Sequence, residues 1–219
     1  PHSWITSVLE LLKVAGNTRK FIKGSMEHRN TILENDRQEL GRVHIRRGIF
    51  QGDSLSPLMF VMSMIPLTYV LRKVKPAYTT KDKNSINHLL YMDDLKLYGK
   101  SQNDITSLIN TVRIYSNDIG MEFGLDKCAT ISLKRGKLAR GEEVEMPEGD
   151  MIHGIEENEE YKYLGILEAD DIKHDKMKEK IFREYTDRLK RVLRSKLNSG
   201  NLFNAINTWA VSLYRYGAG

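Results

Sequence analysis

The stretch Ile86-Asn87-His88-Leu89-Leu90-Tyr91-Met92-Asp93-Asp94-Leu95-Lys96-Leu97-Tyr98 constrains this chain more than any other. Two short apolar runs flank a pair of adjacent aspartates. Leu95 and Leu97 fall on one side of a strand, Lys96 and Tyr98 on the other. That period of two predicts a β-hairpin with the carboxylates at or beside its tip. Adjacent like charges disfavour each other's ionisation, so a fold has reason to avoid them. A divalent cation reverses that penalty, and Mg²⁺ takes hard oxygen ligands such as carboxylates. Asp93 and Asp94 are therefore candidate metal ligands. The plainer reading of Asp-Asp is a solvated turn, in which aspartate is common.

The chain of 219 residues is long enough for one large domain or one and a half small ones, with a substantial buried core. No apolar run is long enough to span a membrane, and no secretory signal is visible. The first residue is Pro1 rather than Met, which predicts a segment of a longer protein. Cys128 is the single cysteine, which excludes internal disulfides and a Cys-based zinc site and fits a reducing, intracellular compartment. The net charge of +5 and a pI of about 9.1 favour an anionic partner such as nucleic acid.

Ile5, Val8, Leu9 and Leu12 have helical spacing over 3–15, with Ser3 as N-cap and Gly16 as stop. Runs at 29–34 and 40–47 predict strands around a turn at Asn35-Asp36-Arg37. Gly48 and Gly52 then bracket Gln51, leaving the backbone free to adopt unusual angles and approach a ligand. Ser54 or Ser56 can cap a helix whose first turn suits Pro57. That helix is expected to reach residue 74, bury Leu58, Met62, Ile65 and Val70, and kink at Pro66. A polar, Lys-rich connection over 76–85 leads into the hairpin. A further helix starts at Ser101 or Asn103, carries Ile105, Leu108, Ile109, Val112 and Ile119 on one face, and stops at Gly120. Met121–Leu133 suggests two short strands around Gly124-Leu125-Asp126-Lys127, 134–149 a solvated loop, and Met151–Ile155 with Tyr161–Leu167 a second hairpin. A long amphipathic helix follows, with Met177, Ile181, Tyr185, Leu189, Val192, Leu193 and Leu197 as its stripe. Asn198-Ser199-Gly200 breaks it, and a last helix runs from Leu202 towards Gly219. Between Asp170 and Lys196 stand ten Lys/Arg and six Asp/Glu, a local charge of +4.

The order of these pieces resembles the reverse transcriptases. Gly48-x-x-Gln51-Gly52 followed by Ser56-Pro57-x-x-Phe60 is similar to their motif B, and Tyr91-Met92-Asp93-Asp94 to motif C. Gly120 through Lys127 resembles motif D, and Tyr163-Leu164-Gly165 the primer-grip motif E. In particular the chain resembles non-LTR (LINE-type) retrotransposon polymerases of the ribosomal-DNA-targeting type-1 kind. The resemblance implies an α+β palm, with an antiparallel sheet and helices on one face, over 1–169, and the start of a helical thumb over 170–219. It implies a nucleotidyltransferase that extends a DNA primer on an RNA template from deoxynucleoside triphosphates by two-metal chemistry. Mg²⁺ is the implied cofactor, with Mn²⁺ as a substitute.

On this reading Asp93 and Asp94 hold metal, and Gly48, Gln51, Gly52, Ser56, Pro57, Tyr91 and Met92 shape the nucleotide and template pocket. Lys127 matches a lysine proposed to protonate the departing pyrophosphate; otherwise it is an exposed turn lysine. Tyr163, Leu164 and Gly165 set the primer terminus. The basic helix after residue 172 tracks the duplex backbone or is an ordinary solvated face. The family's motif A aspartate lies shortly before a Pro-His-Ser-Trp segment in relatives, and this chain starts at Pro1-His2-Ser3-Trp4. Motif A and the fingers are thus expected to lie outside it, and Asp36 and Asp53 sit in no matching motif. The resemblance also implies a nuclear location, no membrane partner and a parent polyprotein. The rival reading is a non-catalytic nucleic-acid-binding remnant of such a polymerase.

Overall fold

The computed structural model describes residues 1–74, 78–79, 83–122, 124–139, 141–146, 149–156, 159–168 and 173–218. The chain divides into two compact units, Pro1–Gly124 and Leu125–Gly219. Each mixes helices with small sheets, an α+β arrangement. The expected boundary between 1–169 and 170–219 falls at residues outside those described.

The first unit begins with α1 (His2–Leu11) and α2 (Gly16–Glu27). Pro1, not Ser3, is the N-cap of α1. Gly16 does not stop that helix; it opens α2, which the sequence pattern did not reveal. Strands β1 (Asn30–Asn35) and β2 (Gln38–His44) pair antiparallel around Asp36-Arg37. Both turn residues have positive φ, the geometry whose twist matches a tight hairpin.

Helix α3 (Ser56–Lys73) follows, with Pro57 in its first turn and Pro66 inside it. Its buried face carries Met59, Ser63, Met64, Leu67 and Leu71, whereas Leu58, Ile65 and Val70 are exposed. The expected stripe was therefore rotated off the true one. The helix is apolar nearly all round, so periodicity could not select a face. Proline at position 66 brings no N–H to the helix ladder. Nearby, the Ser63 carbonyl accepts from Trp4 Nε1 at 3.2 Å and from the Tyr115 hydroxyl at 2.6 Å. The two rings meet edge to face at 5.6 Å, so this one turn of α3 is tied to two other helices.

Of the connection over 76–85, the described residues include β3 (Tyr78–Thr79) and β4 (Ser85–Ile86), an antiparallel pair. Strands β5 (His88–Tyr91) and β6 (Asp94–Leu97) form the hairpin read from the sequence. Helix α4 (Gln102–Ile119) starts where Ser101 accepts from the Asp104 amide at 3.3 Å and ends at left-handed Gly120. The main core joins Met64, Leu67 and Leu71 of α3 to Leu108, Val112, Tyr115 and Ile119 of α4. Leu90, Leu95 and Leu97 of the hairpin pack against it. The two helices thus back the hairpin, and each fully buried leucine contributes about 1.5–3 kcal/mol.

In the second unit Leu125–Lys127 is a single 3-10 turn, not the link between two strands. It leads to β7 (Ala129–Thr130), β8 (Ser132–Lys134), β9 (Lys137–Ala139), β10 (Val144–Glu145) and β11 (Met151–Gly154). The segment 134–149, expected to be a solvated loop, thus contains strand, and Val144 and Met146 are buried. Strand β11 lies between β10 and β7 and is parallel to β7. The expected second hairpin does not form between 151–155 and 161–167. Instead β12 (Tyr161–Tyr163) pairs with β13 (Ile166–Glu168). The described strands form one three-stranded and five two-stranded sheets, where one antiparallel sheet was expected.

Helix α5 (His174–Leu193) buries Val192 and half-buries Met177, Ile181, Tyr185 and Leu189, while Leu193 and Leu197 are exposed. Asn198 caps α6 (Ser199–Ala205), accepting from the Asn201 amide at 2.9 Å. A π-helical turn at Ile206–Ala210 joins it to α7 (Val211–Ala218).

Candidate active site

The β5–β6 hairpin closes through a two-residue loop, Met92-Asp93, with Tyr91 paired to Asp94. Of the two loop residues only Met92 has positive φ, at 54°. A position that favours glycine is occupied by methionine, at a cost of about 1–3 kcal/mol for left-handed backbone. The hairpin holds that strain because three of its leucines are fixed in the core beneath it. The Asp93 and Asp94 side chains are both exposed, one in the loop and the other opening β6. Asp93 and Asp94 are thus adjacent hard-oxygen donors on a supported tip, the chemistry a divalent cation prefers. Among the described residues no group of three or more His, Cys, Asp or Glu side chains is assembled for a metal. Asp93 and Asp94 would supply two of the hard oxygen ligands such a cation takes.

Tyr91 and Met92 line a shallow apolar groove of about 240 Å³ with Leu90 and with Val61 and Met64 of α3. Asn87, just before β5, fastens the hairpin to the other end of α3. It is buried, and its amide donates to the Leu71 carbonyl at 2.6 Å and the Val74 carbonyl at 3.2 Å. With both N–H groups so used, its Oδ1 accepts from His88 Nδ1–H at 2.7 Å. Burial, and secondarily the Arg72 guanidinium, hold the His88 imidazole below its ordinary pKa. Burial pushes the Tyr115 hydroxyl up to about 12, so it stays a donor to Ser63.

The segment before α3 presents Gln51 to solvent between Gly48 at φ 82° and Gly52 at φ 91°. A side chain at either glycine would meet open space, so backbone angle, not crowding, accounts for glycine there. His2 Nε2–H donates to the Gly48 carbonyl at 2.9 Å. Asp53 accepts from the Leu55 amide at 3.0 Å and pairs with Arg29 Nη2 at 3.3 Å. Ser56 is buried and Pro57 opens the helix. His2 and Arg29 support this segment, and sequence reasoning gave neither of them a role. The only signal was the Pro1–Trp4 segment itself.

Lys127 and the Tyr163-Leu164-Gly165 tip belong to the second unit. Lys127 is exposed at the end of the 3-10 turn, and its carbonyl accepts from the Tyr161 hydroxyl at 2.7 Å. Tyr161 opens the strand that ends at Tyr163, so the lysine and the hairpin are linked. Leu164 and Gly165 have φ of 47° and 83° and form the two-residue turn. Neighbouring Cys128 has its thiol pKa raised by burial and then by the Asp126 carboxylate, which disfavours the thiolate. The Lys173 amide donates to Leu167 at the start of α5, on which Arg183, Arg191 and Arg194 stand exposed.

A carboxylate hairpin backed by two helices, with a glycine-bracketed glutamine leading into one of them, is consistent with a palm-like polymerase fold. The reverse transcriptase (RNA-dependent DNA polymerase) family model matches residues 1–167, and the chain belongs to that family. It is 26% identical over 168 residues to the retrovirus-related Pol polyprotein from type-2 retrotransposable element R2DM of Drosophila melanogaster, covering 73% of this chain and 16% of that protein. Over 168 residues it is 24% identical to a Pol polyprotein from type-1 retrotransposable element R2 of Popillia japonica, covering 75% of this chain and 28% of the relative. It is 25% identical over 173 residues to the type-1 R2 polyprotein of Nasonia vitripennis, covering 76% and 16%. The match therefore spans less than a third of the length of each of these relatives. Among the described residues no helix is long and apolar enough to cross a membrane.

Proposed function

We propose that this chain carries part of the catalytic centre of an RNA-directed DNA polymerase of a non-LTR retrotransposon. It would act on an RNA template, a DNA primer and deoxynucleoside triphosphates as part of a longer polyprotein working in the nucleus. The observation that carries the reading is the Asp93-Asp94 pair at the tip of a hairpin anchored in the α3–α4 core. Residues 1–169 would serve as palm and 170–219 as the start of a thumb.

Asp93 would be the principal ligand of Mg²⁺ and Asp94 a supporting carboxylate, with Mn²⁺ able to substitute. When bound, such an ion lowers the pKa of a hydroxyl and offsets charge on a departing pyrophosphate. The protein's own task is placement, since phosphoryl transfer gains most from in-line positioning. Gln51, Gly48 and Gly52 would shape the nucleotide and template pocket beside buried Ser56 and Pro57 in the first turn of α3. Tyr91 and Met92 would form its floor. Tyr163, Leu164 and Gly165 would set the primer end, and Lys127 would hand a proton to the leaving pyrophosphate.

The test is Asp93→Asn in the protein expressed in its native reading frame. Incorporation of labelled deoxynucleotide should fall by about 10³-fold or more, because a neutral amide is a poor ligand for a hard cation. Circular dichroism should be unchanged, since the side chain is exposed. Substantial Mg²⁺-dependent synthesis by the variant would sink the assignment. Wild-type protein that binds primer–template without extending it would favour the non-catalytic remnant.

A further inference from the structure

The Arg29 guanidinium touches the residues on both sides of the Gln51-Gly52 dipeptide. Its Nη2 pairs with Asp53 at 3.3 Å, and its central carbon lies 4.9 Å from the centroid of the Phe50 ring. The Arg29 side chain is only 10% exposed, and its Nη1 is buried and makes no hydrogen bond among the described residues. The Arg29 carbonyl meanwhile accepts from the Ile45 amide at 2.9 Å, so the same residue also holds the entry to the loop. Asp53 spends its other carboxylate oxygen on the Leu55 amide.

Taking a guanidinium out of water is costly, and a well-packed apolar residue of similar volume is often at least as stabilising. Here the gain lies in shape. A planar cation can stack on a ring and bond a carboxylate at once, which an ammonium does less well. Between Phe50 and Asp53 the two intervening residues are an exposed glutamine and a glycine of positive φ. Without a brace, that glycine would leave the loop many alternatives.

We propose that Arg29 is a positioning residue for the Gln51 loop. Its buried guanidinium grips Phe50 and Asp53 and so fixes where the Gln51 side chain is presented. The role rests on the polymerase reading of the site, and it acts through Gln51 rather than on any reacting atom.

The test joins a kinetic cycle to a measurement that needs no catalysis. In the protein expressed in its native reading frame, Arg29→Met should raise the nucleotide KM about tenfold while kcat changes less than about threefold, the signature of lost binding geometry. Arg29→Lys should recover only part of that loss. Adding Gln51→Ala to Arg29→Met should bring little further loss, because the two changes remove one effect. Arg19→Met breaks the ion pair between Arg19 and Glu10, at 3.0 Å, and serves as the stability control, with KM unchanged. Hydrogen exchange at the Leu55 amide should speed up by about tenfold or more in Arg29→Met as the Asp53 cap loosens. Leu55 exchange as slow as wild type would overturn the brace whether or not the protein polymerises. Fully additive losses for Arg29→Met and Gln51→Ala, or complete rescue by lysine, would reduce Arg29 to a structural residue. If the wild-type protein incorporates nothing, the polymerase reading fails, while the exchange measurement still decides whether Arg29 orders the loop.

Discussion

Asn87→Ala should loosen the candidate metal hairpin from α3, and the structure sets the size of the effect. The substitution removes donors to the Leu71 and Val74 carbonyls and the acceptor of the His88 Nδ1–H. The Leu71 oxygen keeps a second partner, the Val74 amide at 3.0 Å. The Val74 oxygen and the His88 ring are only partly buried, so water can replace some of what is removed. A buried group left unpaired costs about 1–3 kcal/mol, and the discounted sum of three is about 2–3 kcal/mol. With a urea slope of about 1–3 kcal/mol per molar, the unfolding midpoint of the first unit should drop by about 0.7–3 M. Trp4 reports on this unit and Trp209 on the other, so fluorescence in a Trp209→Phe background isolates the transition. Asn87→Asp should be at least as damaging at neutral pH, because a carboxylate would face two carbonyl oxygens. A midpoint within about 0.2 M of wild type would mean that the asparagine is no staple.

Acidification should destabilise the first unit through His88. Its folded pKa lies below the ordinary value of 6.5, so the unfolded chain binds the proton more readily and stability falls as pH drops through 6.5 towards the folded pKa. Urea midpoints from pH 8 to pH 5 should show this slope (about one proton at most), and His88→Gln should flatten it; a slope unchanged in the variant refutes the assignment. Lys127→Ala should slow single-turnover incorporation by about 10²–10⁴-fold with little change in nucleotide affinity, as expected when a proton donor is removed. An unchanged rate would leave Lys127 as an exposed turn lysine. Neutralising Lys180, Arg183, Arg191 and Arg194 should weaken primer–template binding regardless of sequence. The salt slope should fall by about one unit for each phosphate that no longer meets a cation. A constant slope would make α5 a solvated face.

The elements legible in the sequence were those with local causes. The β5–β6 hairpin, the Ser101 cap and Gly120 stop of α4, the Asp36-Arg37 turn and the span of α3 all follow from short-range chemistry. What failed depended on distant partners. The buried face of α3 is chosen by α4 and the hairpin, not by its own period. Strand β11 pairs with β10 and, parallel, with β7 more than twenty residues earlier, so 151–155 had no reason of its own to avoid 161–167. Gly141 and Gly154 pass so closely that a side chain on either would strike the other's backbone. No periodicity announces such a crossing. In the candidate site, the adjacent aspartates and the glycine-bracketed glutamine were visible because unusual chemistry is concentrated in a few consecutive residues. Arg29, His2 and Asn87 were not, because each acts on a segment far from it in sequence.

Asp36 and Asp53 each have a structural role, which supports proposing Asp93 and Asp94 as the metal ligands. Asp36 has φ of 48° in the β1–β2 turn, where aspartate is favoured for its tolerance of left-handed backbone. Asp53 has one oxygen on a backbone amide and the other on a buried guanidinium. Both have a structural occupation that accounts for their residue type, and recruiting Asp53 to a metal would leave Arg29 buried without its counter-charge. Among the described residues Asp93 and Asp94 have no such occupation. They stand exposed on a loop whose backbone is strained at Met92 and whose strands are fastened at three leucines and one asparagine. A fold that needed only a turn there could relieve the strain with glycine. Keeping the strained turn is intelligible if the tip must present its carboxylates to a cation.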